Sequence, residues 1–558
     1  MTDQTITATP VNAPDILRNQ PLTRQVDITL ETTILEPVSH NYTSSSGGRT
    51  TFVLPAKGVL DAPNAAIVFE LMADPAEDMA VGYNLQAGGL GCVRRITARC
   101  GGNIISQCEL AGQYANLKSH YVSQNVKEGV LDARHYSSNR FERRVSPQKI
   151  ADGSATTSYH QLYNVEADQC SGFGENDNRN QANTHALQRS KRLNQVQGQG
   201  PEVVIKLSDL FEIFAENKLP LLAMAQTEIE IEWESAGDPN ITPADQVDNV
   251  LIQADIPNSN LNTNSARNVR GLATMATPTM ILDYIHYDDV ERQKIFDAVN
   301  SQGGMRLDFS EVLITRGVNP AGADNSGGAN DVAEVIESNH ILGMAQKEVK
   351  KIYVQKAYDL YSARGQVEIN ADFPGAVGCK THRNIVLNQF KSTQIVGEKY
   401  NWFINNSRVY DKDVDNPAVA HNYISQCGGN WTCPQTYYDT MGFNATALDQ
   451  LVSTDVVSAV STQDVNGNSG ATRRYLAGQS NVIGLSLDKY RELGSVQGNG
   501  TRIGSAPIEF NYSRLSLSAS GANGGANASS TAEVNLIFYI CYRRSLIIRS
   551  LGVDTSDA

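Results

Sequence analysis

MILDYIHYDDVERQKIFDAVNSQGG (residues 280–304) stands at the middle of the chain, and its reading decides how the two flanking halves are understood. Ile281, Asp283, Ile285 and Tyr287 alternate with Leu282, Tyr284 and His286. That is the period of two of a strand, with apolar groups on both faces. Asp288 is a helix N-cap candidate, and Glu291 three residues on completes a capping-box spacing. Ile295, Phe296 and Val299 share one helical face, Val290 does not, and Gly303-Gly304 ends the helix. A strand that turns into a short helix here predicts a joint between two domains.

Outward from this joint, both halves read as strands separated by polar turns. In the first half, Val26, Ile28 and Leu30 alternate, and 51–54 and 65–71 follow as strands. Residues 92–98, the turn Gly101-Gly102 and 103–107 make a hairpin. Leu110, Tyr114, Leu117 and Tyr121 then fall on one helical face. A polar tract spans 127–200, and VVIKLSDLFEIF resumes structure with a strand and a short helix. Next, Ile229, Ile231 and Trp233 alternate with Glu228, Glu230, Glu232 and Glu234, and a second polar tract covers 238–270.

The second half repeats that order. Residues 305–314, 349–354 and 365–369 are strands, and 400–404, Asn405-Asn406 and 408–410 form a hairpin. Asn416-Pro417 caps a helix carrying Val419, Ala420, Tyr423 and Ile424. After a polar insertion over 428–479, VIGLSLDKYREL stands where VVIKLSDLFEIF stood, and Ile508, Phe510 and Tyr512 stand where Ile229, Ile231 and Trp233 stood. The apolar strand 533–542 closes the half. One order of landmarks, met twice, is an internal repeat. The fold class is therefore all-β: two tandem eight-stranded antiparallel jelly-roll sandwiches with short helices and long loop insertions. The divisions are an N-terminal arm at 1–24 (free or docked on a neighbour), a first sandwich at 25–288, a linker helix at 289–304, a second sandwich at 305–553 and a tail at 554–558.

Composition narrows the function. A chain of 558 residues exceeds one core, and a formal net charge of −14 repels phosphate backbones, against specific nucleic-acid binding. Arg94-Arg95 and Arg543-Arg544 read as ordinary solvated strand positions. The opening MTDQTITATP is not followed by a secretory apolar run, and no stretch approaches the ~18 apolar residues of a membrane span. The sequons at Asn41 and Asn430 are then expected to be unused, and the eight Cys to be reduced thiols in an intracellular protein.

Three constellations test for chemistry. Asp411, Asp413 and Asp415 have calcium-loop spacing, but Asn416 and Pro417 stand where the loop needs its Gly turn, and Asn422 replaces the terminal Glu. Cys379, His382, Cys427 and Cys433 match no zinc-knuckle spacing. The four alternating Glu at 228–234 could supply a glycosidase carboxylate. A solvated sheet face or an interface rim accounts for them more simply. No phosphate-binding, zinc-protease, nucleophile-elbow or dinucleotide motif is present. The expected site inventory is no catalytic, cofactor-binding or metal residues, and no cofactor.

Two tandem sandwiches joined through DYIHYDDVERQKIF resemble the double jelly-roll major capsid proteins of double-stranded DNA viruses, the lineage of polinton-like viruses, virophages and nucleocytoplasmic large DNA viruses. Tyr284 followed by Glu291-Arg292 resembles that family's junction. QKEVKKIYVQKA (346–357), KLPLLAMAQTEIEIEWE (218–234) and IGSAPIEF (503–510) resemble its strands. The resemblance spans most of residues 25–553. It implies a non-enzymatic subunit of homotrimeric, pseudo-hexameric capsomers that build an icosahedral shell around double-stranded DNA. Implied partners are neighbouring capsomers and penton and minor capsid or cement proteins, reached in part through the arm and tail, with contact to an internal membrane left open. The implied location is the virion, assembled inside the host cell. Rivals are a tandem β-sandwich carbohydrate-binding protein, which needs an aromatic platform from Trp233, Trp402 or Trp431, and a glycosidase or cupin-type enzyme, which needs clustered carboxylates or His.

Overall fold

In the computed structural model the described residues are 10–17, 26–43, 46–73, 80–83, 88–119, 130, 134, 148–151, 157–160, 202–234, 252–255, 273–320, 334–358, 398–415, 417–428, 482–487, 501–505, 507–516, 533–550 and 552–557. The strands expected at 365–369, the helix after 487 and most of the two long insertions lie outside them.

In the first half the principal strands are β1 (Ile28–Leu35), β2 (Gly47–Leu54), β3 (Ala66–Ala73), β4 (Val93–Cys100), β5 (Asn103–Glu109), β6 (Glu202–Lys206), β7 (Thr227–Trp233) and β8 (Thr279–Tyr287). In the second they are β9 (Met305–Asn319), β10 (Glu334–Leu342), β11 (Glu348–Tyr358), β12 (Lys399–Ile404), β13 (Ser407–Arg408), β14 (Ile483–Ser486), β15 (Ile508–Ser516) and β16 (Val534–Arg549).

Pairing fixes the architecture. The first half has one sheet in the order β6-β3-β8-β1 and one in the order β2-β7-β4-β5. The second half has β9-β16-β11-β14 and β10-β15-β12-β13. Adding eight to each label of the first half reproduces the second, so both halves follow one winding. In each, the first, third, sixth and eighth strands share a sheet, and the other four face them. That is the jelly-roll order, in which every neighbouring pair is antiparallel.

Residue alternation explains why the sheets close on each other. In β7, Thr227, Ile229, Ile231 and Trp233 are buried, and Trp233 crosses to Phe69 of β3 with ring centroids 4.8 Å apart. In the second half, Phe510 of β15 meets Phe538 of β16 edge-on at 5.5 Å, and Trp402 packs on Phe510 at 4.4 Å. Trp233–Phe69 and Phe510–Phe538 each bridge the two sheets of their own sandwich. The hairpins between β4 and β5 and between β12 and β13 match. Gly101 and Gly102 have φ of +56° and +86°, and Asn405 and Asn406 have φ of +52° and +61°. Two successive positive φ values suit the right-handed twist of a two-residue hairpin, and Gly and Asn tolerate them best.

The strand, cap and helix of residues 280–304 form where the sequence reading puts them. β8 ends at Tyr287, Asp288 caps the helix Asp289–Val299, and the Asp288 carboxylate accepts from the Glu291 N–H at 2.9 Å. Gly304, at φ +78°, turns the chain into β9. Asp288→Ala is expected to cost about 1 kcal/mol, read as a shift of the denaturant midpoint.

Two segments are placed differently from the sequence reading. Within the arm, Val11–Asn12 pairs in parallel with Met305–Arg306 at the edge of β9, and Ile16 and Leu17 are buried. The Tyr287 hydroxyl donates to Ile16 O at 3.1 Å, so this stretch is docked on its own chain. The residues read as a tail belong to a strand, Gly552–Asp557, that pairs back on β16. Short segments with few apolar residues gave no periodicity to announce either docking.

Candidate assembly surfaces

The two sandwiches are joined by a continuous buried core. The helix Ala111–Ser119, here α1, and the short helices Leu207–Leu210 and Glu212–Glu216, here α2 and α3, project from the first sandwich onto the second. They cover the outer face of the β9-β16-β11 sheet. On β16, Phe538 and Ile540 point into the second core, whereas Tyr539 and Cys541 join the core shared with the first sandwich. On β11, Tyr353 does the same. Tyr114 of α1 stacks on Tyr539 at 5.6 Å, and its hydroxyl reaches Glu212 Oε1 at 2.8 Å and Cys541 Sγ at 3.2 Å. The Tyr539 hydroxyl donates to Gln355 Oε1 at 2.9 Å and to Gln113 Oε1 at 3.3 Å.

Polar groups in this junction are matched. Glu216 accepts from the Ser310 amide at 3.0 Å and hydroxyl at 2.6 Å, and Asn217 donates to Asp308 O at 2.9 Å. Burial favours the neutral acid at Glu212. The Lys118 and Lys351 ammonium groups, with hydrogen bonds from Lys118 and Tyr114, outweigh it and hold that carboxyl down at about 2.

Glu311 is the contrary case. It is buried on β9, and its carboxylate accepts from Ser106 Oγ at 3.0 Å, the Gln107 amide at 3.3 Å and Arg544 Nη1 at 3.3 Å. Burial pushes it up to about 7, only partly offset by Arg544 and the hydrogen bonds. A carboxyl whose folded pKa lies above its unfolded one contributes stability that is complete below about pH 4.5 and lost as pH rises through about 7. Glu311→Gln is therefore expected to remove a stability loss on the order of 3 kcal/mol between those pH values, at about 1.4 kcal/mol per unit. Denaturant melts of both proteins from pH 4.5 to 8 check it: their difference should change with pH in that window and be flat outside it.

The Glu ladder and the Asp411–Asp415 loop lie within the described residues. The Glu ladder is interleaved with arginines from both neighbouring strands. Arg49 of β2 meets Glu232 at 2.8 Å, Arg99 of β4 meets Glu230 at 2.8 Å, and Arg95 also pairs with Glu232. Glu230 is buried, so this face is a compensated ion-pair lattice, not the solvated face read from the alternation. Arg543 and Arg544 are likewise half-buried and paired, with Asp308 and Glu348 and with Glu311. Alternation in one strand gave no view of the cross-strand partners. Asp413 is engaged by Asn401 Nδ2 at 3.0 Å and by Arg408. Cys427 is buried in the helix Pro417–Gly428, while Cys379, His382 and Cys433 lie outside the described residues. Among the described residues no three His, Cys, Asp or Glu side chains gather to hold a metal, and no helix is long and apolar enough to cross a membrane. Trp233 and Trp402 are buried in the two sandwiches, which leaves neither to form an aromatic sugar platform; Trp431 lies outside the described residues.

Among the described residues the edge strand β1 carries exposed aliphatic side chains. On β1 the alternation places Leu35 against the core, whereas Ile28, Leu30 and Ile34 lie on the outer side, 50%, 68% and 70% exposed. Ile34 pairs with Ile281 of β8, which pairs with Ala66 of β3, and Ile281 and Val68 are half-buried. The period-two reading of β1 therefore found the strand, but its aliphatic side is the outer one.

No protein-family model matches the sequence, and no curated protein matches it. Solved structures do. The chain is similar to a protein of the Sputnik virophage structure solved by cryo-electron microscopy, with a TM-score of 0.46 and 12% identity over 100% of this chain and 95% of that one. It is similar to the mavirus major capsid protein, at 0.41 and 11% over 98% and 95% of the two chains. It is similar also to the Faustovirus major capsid protein, at 0.40 and 9% over 95% and 92%. The fold assignment rests on the strand pairing itself.

Proposed function

We propose that this chain is a non-enzymatic shell subunit, the major capsid protein of a double-stranded DNA virus. Three copies would form a capsomer with a six-cornered outline, and capsomers would pave an icosahedral shell. The observation that carries the reading is the duplicated winding: two sandwiches of one strand order, fused through a single buried core. Such a chain brings two near-equivalent blocks to each place in a ring, so three-fold closure yields a nearly six-fold tile.

The rest of the chemistry is compatible with this role. The sequence between the principal strands includes long polar tracts at 127–200, 238–270 and 428–479, a composition suited to contacts and surface variation. A net charge of −14 fits retention of a genome by enclosure, without tight grip on its phosphates. Neighbouring capsomers, penton and minor capsid proteins are the expected partners, in a virion assembled within the host cell. Light scattering on purified protein tests the first step. A mass of three chains is expected, and a stable monomer at high concentration contradicts the reading.

A further inference from the structure

β8 runs from Thr279, where the polar tract 238–270 leads in, to Tyr287 at the opposite end of the first sandwich. There the strand end, the helix Asp289–Val299, the turn Leu221–Ala223 and the link Lys57-Gly58 enclose a cavity of about 330 Å³. Leu222, Ile285, Ile295 and Phe296 give it apolar walls. The Leu222 amide donates to Gly58 O at 3.0 Å, which holds the turn against the link. Gly58 also lets the imidazole of His286 lie close, since a β-carbon there would stand 3.1 Å from the ring.

The charged groups of the lining are of one sign. Lys57, His286 and Arg292 reach the cavity, and among the described residues that line it none is a carboxylate. Their partners stand outside the lining. Glu31 accepts from Lys57 and, at 2.9 Å, from His286 Nε2, and Asp289 accepts from Arg292. The Glu31 and Asp289 side chains are 45% and 89% exposed, so water screens both pairs. Arg292 keeps N–H donors beyond those that Asp289 engages.

We infer that this cavity is a peptide-docking site: it takes one aliphatic side chain from an acidic segment of another protein, while Arg292 and Lys57 bind the carboxylates beside it. The inference goes beyond the shell-subunit reading and does not depend on it. Charge complementarity names the occupant, because basic groups around apolar walls select carboxylates next to an aliphatic group. Size narrows it further. A cavity of about 330 Å³ is at the small end of ligand pockets, which fits one branched side chain and excludes a long acyl chain. The stretch that the chain itself could offer, 18–25 between the docked Ile16-Leu17 and β1, carries Arg18 and Arg24 and no carboxylate. It has the wrong charge.

The test uses the full chain and the blocked peptide Glu-Asp-Leu-Asp-Glu carrying a fluorophore, read by anisotropy at low salt. Saturable binding is expected, with a dissociation constant on the order of 100 μM. Arg292→Glu, at an exposed position, should weaken it at least about tenfold. Leu222→Trp should do the same by filling the cavity while leaving the basic groups in place. Serine in place of the peptide's leucine should weaken binding to a similar degree. Lys412→Glu, the same charge change at an exposed residue remote in sequence, should stay within about twofold of the parent. Circular dichroism and unfolding midpoints establish that each variant is folded. No saturable binding, or binding that neither Arg292→Glu nor Leu222→Trp weakens, overturns the inference. So does attachment to phosphatidylserine vesicles that Arg292→Glu abolishes while the peptide does not bind. A monomeric parent that binds the peptide contradicts the shell reading alone, and a trimer that does not bind it contradicts this inference alone.

Discussion

Lys356→Met is expected to lower the stability of the protein by about 3–5 kcal/mol, the range for breaking a buried ion pair on one side. Lys356 lies on β11 and Glu398 directly precedes β12, so their contact ties the two sheets of the second sandwich together. The Lys356 side chain is 0% exposed and that of Glu398 is 8%. Burial lowers the Lys356 pKa and raises that of Glu398, and each partner's charge opposes the shift in the other. Removing the ammonium leaves a carboxyl among apolar neighbours with its main compensation gone. Lys356→Met with Glu398→Leu should regain most of the loss, because well-packed apolar groups replace such pairs at little cost. Chemical denaturation of both variants checks this. A single variant no worse than a surface substitution would show that the pair is not buried as described.

Tyr539→Ala should have an effect of similar size, about 3–5 kcal/mol for a large aromatic removed from a packed site. Its side chain is fully buried between the sandwiches, and the shared core runs from Phe52 and Trp233 in the first half to Leu546 and Ile548 in the second. Truncation at the junction is therefore expected to lower one cooperative transition that melts both sandwiches. Tyr539→Phe keeps the ring and loses the hydrogen bond to Gln355, for about 1 kcal/mol. Calorimetry separates the outcomes. Two transitions, with only the second-sandwich step displaced, would contradict a junction that makes one folding unit.

Local chemistry announced much of this fold. Asp288 with Glu291, the Gly101-Gly102 and Asn405-Asn406 turns, and the alternation of Ile229, Ile231 and Trp233 each act within a few residues, so the linear order exposes them. Recurrence of those signs gave the duplication before any pairing was known. What pairs across the chain stayed hidden. Glu311 needs Ser106 and Arg544 to define it, at separations of 205 and 233 residues. Lys356 in QKEVKKIYVQKA reads as one more surface lysine until Glu398 is placed beside it. β1 shows the remaining gap: alternation separates two sides of a strand but does not say which one meets a core. There the aliphatic side is outermost, and only the neighbours of Leu35 reveal it.

Electron microscopy of the purified particle tests the central claim most directly. Averaged top views should show three chains as six lobes of similar size around a closed ring, with first and second sandwiches alternating. Two-lobed single particles, or rings with three lobes only, would contradict it.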